Sequence, residues 1–444
     1  MKNMFLITLA IIALSLSCST DSGTNQSSDG DQDLSDLEAE LEYEFEDASE
    51  DDAEEVFNGP SDDPNDYQVD SSKVYSIEVS EPRWVVPSDG LPDSLELEAA
   101  NNNLDIIFHE GRLFMGWRTA PFHFASAETR MLIVSSTDMG VNWDFENDIA
   151  IGTDLREPRL LAYKDRLHIY YFEAGADMLS FEPKHMWRAT RLEDGSWEAP
   201  VIAVDQPEVP WDLKVRNGKA YMTSYMGNHY ESGESAIEVY FKVSEDGVSF
   251  TKVDDKPYVY KGGVSEVAFE FDVEGNLWAV TRNEDGDSSG FGSHVCFAPK
   301  EALSEWECSE QSDPERYDSP DMFRHGEEIY LVARRDVGGP YDEDREDLTF
   351  EEQKSKYLVD YSFRPKGTSL YHIDRQNRKV EKVLDLPGCG DNAFPSVRRL
   401  DAHNFLLANY TSPLDMTDSN WLDGQTSSRG TQIYLLTVTF VPEE

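Results

Sequence analysis

The chain is 444 residues long and carries 88 acidic against 38 basic side chains, a formal net charge of −50 with histidine neutral. That balance leaves no basic face to neutralise phosphates and excludes nucleic acid as an expected partner. Four cysteines fit an exported chain, and nine histidines scattered without ligand spacing argue against a histidine-built metal centre.

The first 17 residues have one basic side chain, an apolar run over 5–16 and small residues before Cys18. This is the pattern of an export signal, too short to span a membrane as a helix. A buried N-terminal helix is the alternative, but the polar sequence that follows gives it nothing to pack against. Residues 19–72 hold 20 acidic side chains and no Lys or Arg, so they cannot bury enough surface to fold and are expected to form an extended linker. A domain of residues 73–444 remains, with 68 acidic against 37 basic side chains.

That domain repeats one unit. Residues 104–117, 158–171, 211–224, 267–281, 320–333 and 395–409 each read as an apolar strand, a tight polar turn and a second apolar strand. The first five recur about every 54 residues and the sixth after about 74, the period of an all-β six-bladed β-propeller with some four strands per blade. The long gap holds a charged insertion over 337–365, expected as a loop or short helix on the blade 5 rim. In the fourth unit the first strand starts at Glu266 and the second finishes at Arg282, so the hairpin brings a carboxylate and a guanidinium to one edge of the sheet. Cys296 and Cys308 fall in its two predicted outer strands, where either a disulfide or two free thiols would fit. The loop Asn283-Glu284-Asp285-Gly286-Asp287 offers hard oxygen ligands for Ca²⁺ or is only a polar turn, and no other cofactor is expected.

Three turns share a pattern. Ser136-Thr137-Asp138-Met139-Gly140-Val141-Asn142-Trp143 is the full form, with a shortened copy at 244–250 and a degenerate one at 193–197. Asp and Ser can bond the turn backbone, Gly supplies a positive φ and Trp packs between blades. With these turns and the six-fold period, residues 100–440 resemble the sialidase superfamily, whose members are six-bladed propellers carrying such Asp-box turns. The stretch LSLSC similarly resembles a bacterial lipoprotein signal with Cys18 lipidated, which implies a protein anchored by lipid in the cell envelope with a soluble, monomeric body. By the sialidase resemblance Glu266 matches the glutamate that polarises a tyrosine nucleophile. Arg282, with Arg334 or Arg335, matches the cluster gripping a substrate carboxylate, and Arg118 matches a further funnel arginine.

The pattern breaks at three places. Asn101-Asn102-Asn103 stands where the first cluster arginine is expected, and Phe394 where the tyrosine should open blade 6. The loop after Arg118 has His123 and Glu128 but no Asp. The residues that open the blades still form a constellation: Asp154, Arg156 and Glu157, then Trp211 and Asp212, Glu266, Asp318 and Asp321, and Asp391 with Asn392. In a propeller these converge on one mouth of the central channel, although strand-capping is an equal alternative for each acid taken singly, and a weaker one for Glu266 and Glu157, which sit beside arginines. Paired carboxylates are what glycoside hydrolysis needs. The expected site therefore has Glu266, Glu157, Asp391 and Tyr410 as catalytic groups. Arg118, Arg156, Arg282, Arg334, Arg335, Trp211, Asp212 and Asp318 are expected to bind the ligand, a carbohydrate or glycoconjugate. A non-catalytic glycan-binding module is the competing expectation. A protein-docking rim is a third, which the high charge of the insertion disfavours.

Overall fold

Each repeated hairpin forms the inner pair of an antiparallel sheet in the computed structural model, which describes residues 59–178, 182–227, 229, 233–339 and 347–443. The signal segment, Cys18 and the acidic stretch up to residue 58 lie outside the described residues. Six inner strands, Ala100–His109, Asp154–Tyr163, Val209–Arg216, Val264–Phe271, Tyr317–His325 and Ser396–Arg399, meet one another in sequence order around a central channel. Among the described residues there are six such sheets, so the protein is an all-β six-bladed propeller. Both strands of the central hairpin, Val264–Phe271 and Leu277–Asn283, are buried at every position, because each blade packs against two neighbours.

The ring is closed by the N-terminal part of the domain. Tyr75–Val79 and Arg83–Val86 add antiparallel strands to Gln432–Pro442, making blade 6 from both ends of the chain. Blade 1 locks onto this seam through the turn at 136–143. Ser136 Oγ and Asp138 Oδ1 accept the backbone N–H groups of Gly140 (2.8 Å) and Asn142 (2.8 Å), Gly140 has φ +84°, and Trp143 is buried. Arg83 donates to the Met139 carbonyl across the seam.

Around the channel, alternate blades clasp the next by one device. Asp105, Asp212 and Asp321 on blades 1, 3 and 5 accept the backbone N–H groups of Leu160 (2.7 Å), Phe269 (2.9 Å) and Val397 (2.8 Å) on blades 2, 4 and 6. Lys214 bridges Asp212 (2.6 Å) and Asp321 (3.3 Å) in the buried interior.

One expectation about boundaries changes. The folded part begins before residue 73: residues 59–69 cross the channel end opposite the mouth. Asp63 caps a 3-10 turn at Pro64–Asp66, the Asp62 carbonyl accepts from Arg216 at 2.9 Å, Asn65 accepts from Arg324, and Tyr67 lies 4.9 Å under the Arg399 guanidinium. Local composition concealed this, because the partners of these acidic residues are basic side chains far along the chain. The insertion, in turn, forms helix α1 (Phe350–Ser362), opened by a capping box between Thr349 and Glu352. It leans inward over blades 4 and 5, with Lys354 paired to Asp285 at 3.0 Å and Tyr357 stacked on Phe291 at 4.2 Å. Cys296 and Cys308 are registered partners on neighbouring outer strands and form a disulfide.

Candidate active site

The inner strands slip register where they leave the mouth, at Asn102/Leu104, Arg156/Arg159, Pro210/Asp212, Val264/Val267 and Asp318/Asp321. Asn103, Glu157 and Ser319 sit at such bulges with φ of +46°, +55° and +50°, a conformation costing a non-glycine residue roughly 1–2 kcal/mol. A bulge re-aims one side chain out of the strand alternation. Here it turns the residues that open the blades into the funnel.

Two buried glutamates, one from blade 2 and one from blade 4, lie close enough for the charge of Glu266 to act on Glu157. Glu157 accepts from Asn103 Nδ2 at 2.9 Å, and burial, followed by the negative charge of Glu266, pushes its pKa up to about 7. Glu266 accepts from Arg282 at 2.5 Å and from the Ser319 N–H at 2.9 Å. Burial also raises Glu266, against the pull of Arg282. Of the two, Glu157 is the group that keeps its proton toward neutral pH, because among the described residues no guanidinium forms an ion pair with it, whereas Arg282 binds Glu266. Behind Glu266 the charges are mutually satisfied. Arg282 also meets Glu284 (2.9 Å) and Asp318 (3.3 Å), Glu284 meets His229 (3.2 Å), and Arg316 meets Asp318 (2.9 Å). Burial would raise Asp318 and Glu284, but their cationic neighbours outweigh it and hold both below the usual range.

A second group lies on the side formed by blades 1, 2 and 6. Asp391 is fully buried and binds His123 (2.7 Å), the Tyr410 hydroxyl (2.9 Å) and Trp421 Nε1 (3.2 Å). Burial opposes its charge, but His123 and these donors keep it ionised. Burial, then Asp391, lifts the Tyr410 phenol well above its ordinary value, so Tyr410 is a hydrogen-bond donor at neutral pH. Arg118, without exposed surface, pairs with Asp154 (2.8 Å) and donates to the Phe124 carbonyl (3.0 Å). Arg156 reaches Asp154 (2.5 Å) and the His123 carbonyl (2.8 Å). These arginines fix the loop that carries His123.

Arg334 lies beside the blade 6 mouth, donating to Ser319 Oγ (3.0 Å) and the Asn392 carbonyl (3.2 Å) with the Trp421 ring 4.9 Å away. Tyr361, at the end of α1, packs 4.3 Å from the Arg316 guanidinium and edge-on to Trp421. Trp421 opens a short helix, α2 (Trp421–Thr426), and remains partly exposed.

The floor is aromatic. Trp211 of blade 3 and Phe394 of blade 6 meet at 5.1 Å, and Arg159 of blade 2 places its guanidinium 4.4 Å from the first ring and 4.3 Å from the second. Blades 3 and 6 are opposite in a ring of six, so this cluster crosses the channel axis.

No known protein family matches the chain, and no curated protein does. Solved structures do. A protein of unknown function from Dyadobacter fermentans is 12% identical with a TM-score of 0.54, over 82% of this chain and 99% of that one. Trypanosoma rangeli sialidase in complex with the inhibitor DANA is 12% identical with a TM-score of 0.51, over 82% of this chain. The chain has the six-bladed fold of the sialidases. It matches only 59% of the Trypanosoma sialidase's length, and at such identity the likeness is one of fold.

Within that sialidase fold the expected residues part company. Glu157, Glu266, Arg282, Asp318, Arg334, Asp391 and Tyr410 gather at the mouth. Arg335 points away, pairing with the exposed Asp385 at 3.4 Å, because adjacent residues on a strand face opposite sides. Asp212 belongs to the channel clasp below the floor, and Trp211 is buried with its Nε1 on the Pro320 carbonyl at 3.1 Å. Arg118 and Arg282 are held by carboxylates rather than presented to a ligand. The proposed Ca²⁺ loop does not converge on one point: Glu284 meets Arg282, Asp285 meets Lys354, and Asp287 accepts from Tyr260 (2.8 Å) and the Gly263 N–H (3.0 Å). Sequence reasoning missed Asn103, Arg159, Tyr361 and Trp421. The last two sit on short helices outside the repeating hairpins, where the two-residue period gives no signal, whereas Arg159 is two residues past Glu157 on the same strand.

Proposed function

We propose that the protein is a glycoside hydrolase working on a glycan in the propeller funnel, with Glu157 as general acid and Glu266 as the ionised partner. The observation that carries this reading is a pair of buried glutamates held differently: Glu157 meets only the neutral donor Asn103 and has its pKa pushed up to about 7, whereas Glu266 is bound to a guanidinium. Such a division separates the acid from the base of glycoside hydrolysis. Partly exposed Trp421 offers a face for a sugar ring. The export signal and Cys18 support a lipid-anchored location in the bacterial envelope, where glycans are at hand.

A second reading has its own support. Phe394 stands where a tyrosine would open blade 6, and Tyr410 keeps its proton, which it shares with ionised Asp391 only as a hydrogen bond; with no phenolate at hand, a glycan-binding module is favoured. Hydrolysis of a panel of aryl glycosides, including sialosides and uronides, separates the two. Turnover that falls by roughly 10²–10⁴-fold in Glu157→Gln supports the hydrolase. Absence of turnover across the panel, with glycan-array binding that Trp421→Ala abolishes, supports the binding module.

A further inference from the structure

Arg159 is a funnel cation that no carboxylate contacts among the described residues: it acts on Glu157 only through space, whereas Arg334, likewise without a contacting carboxylate, donates to Ser319 Oγ and the Asn392 carbonyl. Arg159 is 7% exposed, and its Nε and Nη2 are buried without a hydrogen-bond partner among the described residues. No carboxylate lies within ion-pair distance of it among those residues, whereas Arg118, Arg156 and Arg282 each hold one. Trp211 and Phe394, set edge to face, both lie within cation–π distance of its guanidinium, which stabilises the cation but offers its N–H groups no acceptor. Five donors in a planar fork, held rigid by two aromatic rings at the base of a blind funnel, match the two oxygens of a carboxylate or sulfate.

We propose that Arg159 is an anion-recognition site at the funnel floor. It takes one oxyanion group of carboxylate or sulfate size, carried either by the sugar or by a free ion. If the sugar carries it, the acidic end enters first and the glycosidic bond stands above, level with Glu157 and Glu266; that form rests on the hydrolase reading, whereas the anion site itself does not. Arg118, Arg156 and Arg282, expected to grip an anion, are instead neutralised by carboxylates in the walls, whereas Arg159 keeps donors without an acceptor among the described residues.

The test is calorimetric binding to the full chain, with Arg159→Met as the charge-removing variant that keeps the stem between the rings. The probes are sodium sulfate, glucuronic acid and N-acetylneuraminic acid, with glucose as the neutral control. Binding of sulfate that weakens at least roughly tenfold in Arg159→Met supports the site with a free ion as its occupant, the size expected for a lost charged hydrogen bond. Binding of an acidic sugar but not of sulfate, with the same loss, supports the sugar-borne form. Affinity unchanged in Arg159→Met, or no binding of any of the three anions by the parent chain, overturns the proposal. Should Arg159→Met fail to fold, Arg159→Lys replaces it. That variant keeps the charge without the fork and is expected to lose the acidic sugar's affinity by a smaller factor, while equal affinity would count against the site. None of these measurements requires turnover, so a failed hydrolase assay leaves them interpretable.

Discussion

The neutral Glu157 carboxyl has consequences that can be measured apart from any activity. Between its ordinary value near 4.5 and its folded value of about 7, the folded chain keeps a proton that the unfolded chain has released. Stability attributable to this group is therefore present at low pH and is lost as pH rises through that window. Urea midpoints measured from pH 5 to pH 8 should fall with a steeper slope in the parent than in Glu157→Gln; equal slopes would mean that Glu157 ionises normally. Asn103 donates to this carboxylate and favours its charged form, so Asn103→Ala should lift the pKa further and carry any alkaline limb of a pH–rate profile upward. At Arg118 the prediction is structural. Removing a fully buried guanidinium leaves Asp154 facing Arg156 alone, and Arg118→Ala should lose about 3–5 kcal/mol in denaturant unfolding. Arg335→Ala, at an exposed pair with Asp385, should lose less than about 1 kcal/mol.

Among the elements, the inner hairpins were legible because a two-residue period and a polar turn are local facts. Val264–Phe271 and Leu277–Asn283 occupy the stretch where alternation placed them, and Glu266 meets Arg282 as the shared edge required. The bulges were not legible. They depend on cross-strand register, and Asn103, Glu157 and Ser319 carry no sequence mark of a positive φ. Nor does any local feature reveal which arginine is already neutralised, since Asp154 and Arg118 are 36 residues apart and belong to different blades. The segment at 59–69 was hidden for a related reason, its acidic composition being that of the linker before it. A chain beginning at residue 73 should therefore be less stable than one beginning at residue 59, by about 1–3 kcal/mol for each guanidinium that loses its acceptor. Arg216, which gives up the Asp62 carbonyl, and Arg324, which gives up Asn65, are the two to watch. Equal melting temperatures for the two chains would show that the segment adds nothing.

For the molecule as a whole, the six-bladed ring explains how one chain can gather a site from residues as distant as Asn103 and Trp421. Every inner strand opens at the same mouth, so the strand bulges and the helices α1 and α2 that carry Tyr361 and Trp421 all face one volume, while the cluster of Trp211, Phe394 and Arg159 lies below it. The opposite end of the channel is crossed by the chain's own residues 59–69, and beyond them the chain enters the closing strand at Tyr75. These two features lie in series. A pull on the N-terminal side must first strip Asp62 and Asp63 from Arg216 and Asn217, and then draw Tyr67 from beneath Arg399. Only afterwards does load reach the ladder between Tyr75–Val79 and Gln432–Pro442 that holds the ring shut. The segment thus acts as strain relief on a cable, taking up tension before it arrives at the seam on which the shape of the funnel depends.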